Sequence, residues 1–279
     1  MSGPLQAFVT GNPIKHSKSP LLHGYWLKKY NISGTYSAIE TDEQTLPKLI
    51  EQVRNGELRG GNVTIPHKQL AFDLCDQHTD TAKKIGAVNT IWAENGKIMG
   101  DNSDEYGFLA NLTHQLPHWD LHKECAIILG AGGAARAILA ALVDKGFKTI
   151  YLLNRTFARA EQLASEFDGP IVPQTLDQFD QLAPQADFVV NTSSIGMHGS
   201  RFDQLDVHKL PENAIVTDIV YTPLMTPLLQ DAEARGLKIA TGLGMLLHQA
   251  VPGFEIWFGQ KPEVDEDLIQ YMLAEIKNG

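Results

Sequence analysis

The chain of 279 residues is poor in cysteine, in positive charge and in long apolar runs. Its two cysteines, Cys75 and Cys125, lie far apart in sequence and form no metal-ligand or redox motif. Lys and Arg total 23 against 33 Asp and Glu, a formal net charge of -10. That balance argues against nucleic acid or an anionic membrane surface as the main partner. Crossing a bilayer takes about 18 or more consecutive apolar residues. The nearest approach, 125–143, contains glycines and Arg136. Met1-Ser2-Gly3-Pro4 lacks a basic region followed by an apolar core, so no secretory signal is expected. What is present is 43% hydrophobic residues, enough for a globular core and against wholesale disorder. The length suits one large domain or two of ordinary size, without internal repeats. A soluble cytoplasmic protein is expected.

The stretch around 126–137 is the most informative. Ala126, Ile127, Ile128 and Leu129 form an uninterrupted apolar run and predict a strand buried on both faces. The run breaks into Gly130, Gly132 and Gly133, and an apolar helical stretch follows over 134–143. A Cβ in such a turn would block close approach of the backbone to a pyrophosphate. The free N–H groups and positive dipole of the next helix bind that anion. A tight strand-to-helix turn without a ligand is the competing reading of the glycines alone. Roughly twenty residues further on, an NAD-binding unit carries an acid for the ribose 2′-hydroxyl. Here a second strand-like run, 149–153, ends in Asn154-Arg155-Thr156, with Arg159 one helical turn later. Two cations without an acid suit a 2′-phosphate, so the turn reads as an NADP site.

The remaining pattern alternates strand and helix, as a parallel sheet requires. Strands are expected at 8–10, 35–39, 60–65, 86–92, 188–194, 215–221 and 238–240. A hairpin-like turn is expected at Glu94-Asn95-Gly96. Ser19 as N-cap and Pro20 as first helical residue predict a helix carrying Leu22 and Trp26. Further helices are expected at 46–53, at 227–235 and, on an amphipathic stripe of Leu268, Met272 and Ile276, at 264–277. Gly242-Leu243-Gly244 opens an apolar helix over 245–258, expected to be kinked or broken near Pro252-Gly253.

Several residues could carry chemistry. Pro66 near the first turn of a helix places Lys68 close to a positive dipole end, which disfavours the charged amine and favours proton transfer. A solvated surface lysine is the alternative. Asp101 and Asp104 read as metal ligands, helix caps or catalytic groups, and Ser17 and Ser19 as capping or turn residues. His114, His118 and His122 recur at intervals of four. Pro117 interrupts any helix that would align them, so a polar interdomain linker is expected there and no metal site.

Across nearly its whole length the chain resembles the shikimate dehydrogenase family. The resemblance is carried by Gly11-Asn12-Pro13 with His16-Ser17-Lys18-Ser19-Pro20, Asn62-Val63-Thr64-Ile65-Pro66 with Lys68, and Gly86-Ala87-Val88-Asn89-Thr90. It continues through Gly100-Asp101-Asn102 with Asp104, Gly130-Ala131-Gly132-Gly133-Ala134 and Asn154-Arg155-Thr156. Tyr221, Pro223, Thr226-Pro227-Leu228-Leu229 and Gly244-Met245-Leu246 with Gln249 complete it. It implies two α/β domains, residues 1–104 plus 243–279 for substrate and a Rossmann-type NADP-binding domain over 105–242, with the active site in the interdomain cleft. It implies reversible NADPH-dependent reduction of 3-dehydroshikimate to shikimate, in aromatic amino-acid biosynthesis, by a monomer or homodimer. By position, Lys68 and Asp104 would form the catalytic pair. Ser17, Ser19, Thr64, Asn89, Tyr221 and Gln249 would hold the substrate. The cofactor would touch Asp80, Gly130, Ala131, Gly132, Gly133, Ala134, Asn154, Arg155, Thr156, Arg159, Ile219 and Gly242.

The chain departs from the family's usual pattern at His67, Ser103 and Glu105, which flank the catalytic pair, and at Pro252-Gly253. A quinate/shikimate dehydrogenase, or a paralogue with altered substrate, is therefore the second reading. A non-catalytic NADP-binding sensor is the third, and it predicts loss of the Lys68 and Asp104 pair, which this sequence retains.

Overall fold

The computed structural model describes residues 4–277 apart from position 204. Met1-Ser2-Gly3, which entered the expectation about a secretory signal, lies outside the described residues. The chain forms two compact units, Met1–Asp104 with Leu246–Gly279, and Glu105–Met245. No helix among the described residues is long and apolar enough to cross a membrane.

The first unit begins with β1 (Leu5–Gly11), α1 (Ser19–Lys29), β2 (Gly34–Glu40), α2 (Leu46–Arg54) and β3 (Gly60–Val63). It continues with α3 (Lys68–Leu74), the two-residue β4 (Gln77–His78), α4 (Asp80–Ile85), β5 (Thr90–Glu94) and β6 (Lys97–Asp101). Its six-stranded sheet has the order β2-β1-β3-β5-β6-β4. β1 is parallel to β2 and β3, while β5 is antiparallel to β3 and β6. The β5–β6 hairpin turns on Asn95 and Gly96, both at positive φ (52° and 76°), the backbone that an Asn-Gly pair adopts most readily. Apolar side chains of α2, Leu49 and Val53 among them, pack with Phe8, Val63, Ile91 and Ile98 of the sheet. That burial is the main force holding the layer together.

The second unit takes up the chain with α5 (Asp104–Gln115), β7 (Cys125–Leu129), α6 (Gly133–Asp144), β8 (Thr149–Asn154), α7 (Phe157–Ser165) and β9 (Ile171–Thr175). It continues with the one-turn α8 (Phe179–Leu182), β10 (Phe188–Asn191), β11 (Ile195–His198), β12 (Ile215–Asp218), α9 (Pro227–Ala234) and β13 (Lys238–Ala240). The sheet is parallel throughout, in the order β13-β12-β10-β7-β8-β9. Strand order reverses beside β7, which creates the crevice where doubly wound sheets bind ligands. Alternation along β7 sends Ala126 and Ile128 into one core and Cys125, Ile127 and Leu129 into the other. The sheet is thus buried on both faces, as the unbroken apolar run requires.

The chain ends in α10 (Leu243–Phe258) and α11 (Glu266–Lys277). Of the expected kink or break near Pro252-Gly253, the break does not occur: α10 runs for 16 residues with Pro252 inside it. Burial of Leu247, Ala250, Val251, Phe254 and Trp257 outweighs the lost backbone hydrogen bond. Three local expectations also shift. The strand expected at 86–92 starts only at Thr90, because Gly86 (φ 68°) closes α4 in a left-handed cap. Pro66 precedes α3 rather than opening it, joined to Ile65 by a cis bond, with His67 as N-cap. Ser19 is the first residue of α1, and its N–H donates to Ser17 Oγ at 3.3 Å, so the serine expected to cap is itself held.

Gly60 (φ 143°) marks the tightest point of the first unit. A Cβ there would stand 2.1 Å from the Ile91 carbonyl and 2.4 Å from Trp257 Nε1, which donates to that carbonyl at 3.0 Å. Gly60→Ala is expected to lower the unfolding free energy by about 3 kcal/mol or more, from backbone strain plus overpacking. Urea denaturation measures this, and an unchanged midpoint contradicts the packing described.

Candidate functional site

In the first unit, α3 opens on Lys68 and α5 on Asp104, so the two helix starts present a lysine and a carboxylate to each other. Lys68 Nζ donates to Asp104 Oδ2, and the two side chains are only 12% and 9% exposed. The other carboxylate oxygen, Oδ1, accepts from Asn89 Nδ2 at 2.8 Å, and the Asp104 N–H donates to Asn102 Oδ1 at 3.1 Å. Asn89 has no freedom to flip. Its Oδ1 accepts from the Ser103 N–H at 2.9 Å, from Ser103 Oγ at 3.2 Å and from Thr90 Oγ1 at 2.8 Å. Thr90 Oγ1 in turn accepts from Asn62 Nδ2 at 3.3 Å, and Asn62 Oδ1 accepts from the Tyr36 hydroxyl at 2.6 Å. Donors therefore point one way along Tyr36, Asn62, Thr90 and Asn89, and the chain ends on the Asp104 carboxylate. Such a chain polarises itself and is satisfied at every buried step.

The other expected residues of the unit lie on separate elements and make local contacts. Thr64 follows β3, half-buried, its N–H donating to the Thr10 carbonyl at 2.8 Å. Ser17 and Ser19 lie together at the start of α1. Gln249 is on α10, half-buried, its Nε2 donating to the Leu246 carbonyl at 3.0 Å. Asp80 opens α4 and is exposed, paired with Lys83 at 3.3 Å, so it stands in a different unit from the glycine turn. His67 is buried, with Nε2 2.7 Å from the Thr41 carbonyl, which ties the segment after β2 to the residue before Lys68. His23 stacks on Tyr36 with ring centroids 3.8 Å apart, and burial pushes its imidazole down to about 3. It is therefore neutral at physiological pH.

In the second unit the glycine turn joins β7 to α6. Gly130 has φ 105°, and its backbone lies so close to Ser193 that a Cβ would meet Ser193 Cβ at 2.9 Å. A Cβ at Gly132 or Gly133 would have nothing within 4 Å, so the backbone there faces open space. No side chain caps the start of α6, a helix of 12 residues. Open backbone at an uncapped helix N-terminus suits a pyrophosphate. Asn154, at the end of β8 where an NAD-binding unit would carry its acid, accepts from the Ala131 N–H at 3.3 Å. Ala134 lies in the first turn of α6. Arg155, Thr156 and Arg159 are exposed beyond β8, and among the described residues neither arginine makes an ion pair. The residues present fit a dinucleotide carrying a 2′-phosphate.

Ile219 and Gly242 meet at the same edge of the sheet, where a Cβ on Gly242 would lie 2.6 Å from the Ile219 carbonyl oxygen. Tyr221 follows, half-buried, its phenol pushed up by burial. Asp218, not singled out from the sequence, is wholly buried at the end of β12. Its position at the carboxyl end of a parallel strand was the signal that could have found it. Tyr36, Asn62, Thr90 and Asn102 had no such signal, because only strand pairing brings them together.

The geometry defines an α/β protein with a Rossmann-type dinucleotide-binding unit and, in its other unit, a largely buried lysine–carboxylate pair. Family models match the chain as shikimate dehydrogenase substrate binding domain over residues 9–91, as shikimate/quinate 5-dehydrogenase over 111–223, and as shikimate 5′-dehydrogenase C-terminal domain over 242–267. A shikimate dehydrogenase (NADP(+)) of Sinorhizobium fredii is 48% identical over 97% of this chain and 95% of its own length. Among solved structures, shikimate 5-dehydrogenase from Thermus thermophilus in complex with NADP(H) and shikimate aligns with TM-score 0.84 and 36% identity. That alignment covers 98% of this chain and 99% of the other. Quinate dehydrogenase from Corynebacterium glutamicum in complex with NAD aligns with TM-score 0.89 at 27% identity, over 98% of this chain and 100% of the other. The chain belongs to the shikimate dehydrogenase family.

Burial pushes the Asp218 carboxyl up to about 6 from 3.8, against the opposing pull of hydrogen bonds from Asn191, Thr226 and the Val220 N–H. The folded value lies above the unfolded one. The folded chain therefore holds this proton more tightly, and stability falls as pH rises from about 4 through 6. A shift of about two pH units corresponds to about 3 kcal/mol. Asp218→Asn removes that dependence, so its stability relative to wild type is expected to improve by up to about 3 kcal/mol between pH 4 and 7. Paired urea titrations across that range check it, and a pH-independent difference contradicts the assignment.

Proposed function

We propose that this chain catalyses the reversible NADPH-dependent reduction of 3-dehydroshikimate to shikimate, a step of aromatic amino-acid biosynthesis. The observation that carries the mechanism is the largely buried Lys68–Asp104 pair, within the unit most of whose N-terminal part matches the substrate-binding domain of the family. When bound, NADP supplies or accepts the hydride at its nicotinamide ring. As the carbonyl carbon is reduced, its oxygen gains negative charge and needs a proton within hydrogen-bond reach. Lys68 Nζ delivers that proton, and in the oxidative direction it takes the proton back from the hydroxyl. Asp104 orients the ammonium through Oδ2 and holds a neighbouring substrate hydroxyl. Asn89, fixed by Ser103 and Thr90, presents its amide to the same site. Ser17, Ser19, Thr64, Tyr221 and Gln249 bind the remaining hydroxyls and the carboxylate.

The cofactor is held by Gly130, Ala131, Gly132, Gly133 and Ala134 at its pyrophosphate. Asn154, Arg155, Thr156 and Arg159 hold the 2′-phosphate end, and Asp80, Ile219 and Gly242 provide further contacts. Two exposed arginines where NAD-binding units carry an acid support NADP over NAD. A cytoplasmic enzyme, working as a monomer or homodimer on a small diffusing acid, completes the proposal. It is in keeping with the acidic net charge and with two free, buried thiols.

Steady-state oxidation of shikimate, followed by NADPH absorbance, tests the function. Lys68→Ala is expected to lower kcat by about 10²–10⁴-fold, the span for loss of general acid–base catalysis, with a smaller change in KM for shikimate. Asp104→Asn should reduce both rate and affinity. The double variant should lose far less than the product of the single losses, because the two groups act as a unit. Near-wild-type turnover in Lys68→Ala would end the assignment. Equal turnover on quinate would widen the substrate to that of a quinate/shikimate dehydrogenase.

Arg155 gives an independent test of the cofactor. Arg155→Ala should raise KM for NADP+ by roughly ten- to a hundredfold and leave KM for NAD+ nearly unchanged, as expected for one charge-assisted hydrogen bond. Equal losses with both cofactors remove the 2′-phosphate role.

A further inference from the structure

We infer that Asp218 is a positioning residue for the dinucleotide site, a single buried carboxyl that fixes the chain at 191–193 and the segment 219–221 to each other. The inference rests on the proposed binding of NADP at the glycine turn. Three hydrogen bonds converge on this carboxyl. Its Oδ1 accepts from Asn191 Nδ2 and from the Val220 N–H, each at 2.9 Å, and its Oδ2 accepts from Thr226 Oγ1 at 2.7 Å. The donors come from three places: the end of β10, the segment after β12 and the N-cap of α9.

On the β10 side, the bonds lead to the glycine turn. Asn191 Oδ1 accepts from the Ser193 N–H at 3.0 Å and from Ser193 Oγ at 2.8 Å, while its Nδ2 also donates to the Ile195 carbonyl at 2.6 Å. Ser193 is the residue against which Gly130 packs. Thr192 Oγ1 lies 3.0 Å from both the Leu129 and the Gly130 carbonyl oxygens, so the same corner is bonded to the turn itself. On the β12 side, the Val220 bond holds the backbone between Ile219 and Tyr221. Gly242 is in close approach to the Asp218 and Ile219 carbonyl oxygens. One carboxyl thus sets the spacing between the surface beneath Gly130 and the surface formed by Ile219 and Gly242.

A buried acceptor serving three donors from separate segments cannot be removed without freeing at least two of them. Each freed group then has an incentive to turn towards water. Asn191 would keep only the Ile195 carbonyl as acceptor for its amide, and Ser193, which donates to that amide's oxygen, would be held less firmly. Arg155, on the loop after β8, and Arg159, in the first turn of α7, make no hydrogen bond to this network among the described residues, so damage here should not discriminate between the two dinucleotides.

The test is equilibrium titration of NADP+ and NAD+ against wild type, Asp218→Ala, Asp218→Asn and Asn191→Ser, on protein shown by circular dichroism to be folded at the titration temperature. Asp218→Ala should raise Kd for both nucleotides by the same factor, roughly tenfold or more, the loss expected when about two net hydrogen bonds go. Asp218→Asn retains an acceptor for Asn191 and Val220 and should stay near wild type. Asn191→Ser, which keeps the carboxyl and cuts its connection to Ser193, should show the same undiscriminating loss and decides the matter if Asp218→Ala does not fold. Unchanged Kd values, a loss confined to NADP+, or a loss in Asp218→Asn equal to that in Asp218→Ala would overturn the inference. Wild type that fails to bind NADP+ would instead overturn the cofactor reading itself.

Discussion

The polar centre of the first unit is organised around one electrostatic arrangement, the ion pair of Lys68 with Asp104 in a largely dehydrated setting. Removing such a pair from water costs several kcal/mol per ion, and mutual attraction offsets that only when the remaining polar valences are filled. Here they are filled from the fold. Asn89 and the Asn102 carbonyl oxygen of its side chain occupy the second carboxylate oxygen and the Asp104 N–H, and Ser103, Thr90, Asn62 and Tyr36 hold Asn89 in turn. In the proposed mechanism Lys68 must meet a developing oxyanion, which asks for a fixed position more than a long reach. The hydrogen-bonded row holds Asp104, and through it the Lys68 ammonium, in place.

The second unit solves a different problem with the same means. A parallel sheet buried on both faces leaves its functional groups to the loops at the carboxyl ends of the strands. Loops are the least rigid part of such a fold. The turn at 130–133 is kept open by glycine, and the neighbouring segments are fastened by buried polar groups, Thr192 to the turn and Asp218 to three separate segments. The burial that pushes the Asp218 carboxyl up is the energetic cost of that fastening.

The parts of this arrangement that could be read from the sequence are those set by local chemistry. The apolar run 126–129 predicts an interior strand and Asn95-Gly96 a tight hairpin turn, and both form. The glycine turn alone leaves a ligand-free turn open, and the absence of an acid at 154 with Arg155 and Arg159 beyond it favours a dinucleotide. Lys68 was locally ambiguous, because its value depends on a carboxylate 36 positions away. The relay behind it could not be read at all. It exists because β3 and β5 pair with Asn62 opposite Thr90, while β1 sets β2 beside β3 so that the Tyr36 hydroxyl reaches Asn62. Local rules also failed where packing or backbone geometry outweighed them, as at Pro252 within α10 and at Gly86, whose left-handed cap shortens the strand that follows.

In the proposed mechanism Lys68 meets the reacting oxygen while the arginines after β8 meet the 2′-phosphate. A crystal structure of the wild-type protein soaked with NADP+ and shikimate tests it most directly. The account predicts the shikimate 3-hydroxyl within about 3 Å of Lys68 Nζ, and the 2′-phosphate against Arg155 and Arg159. Shikimate bound with Lys68 turned away from that hydroxyl, or a 2′-phosphate pointing into solvent, would contradict it.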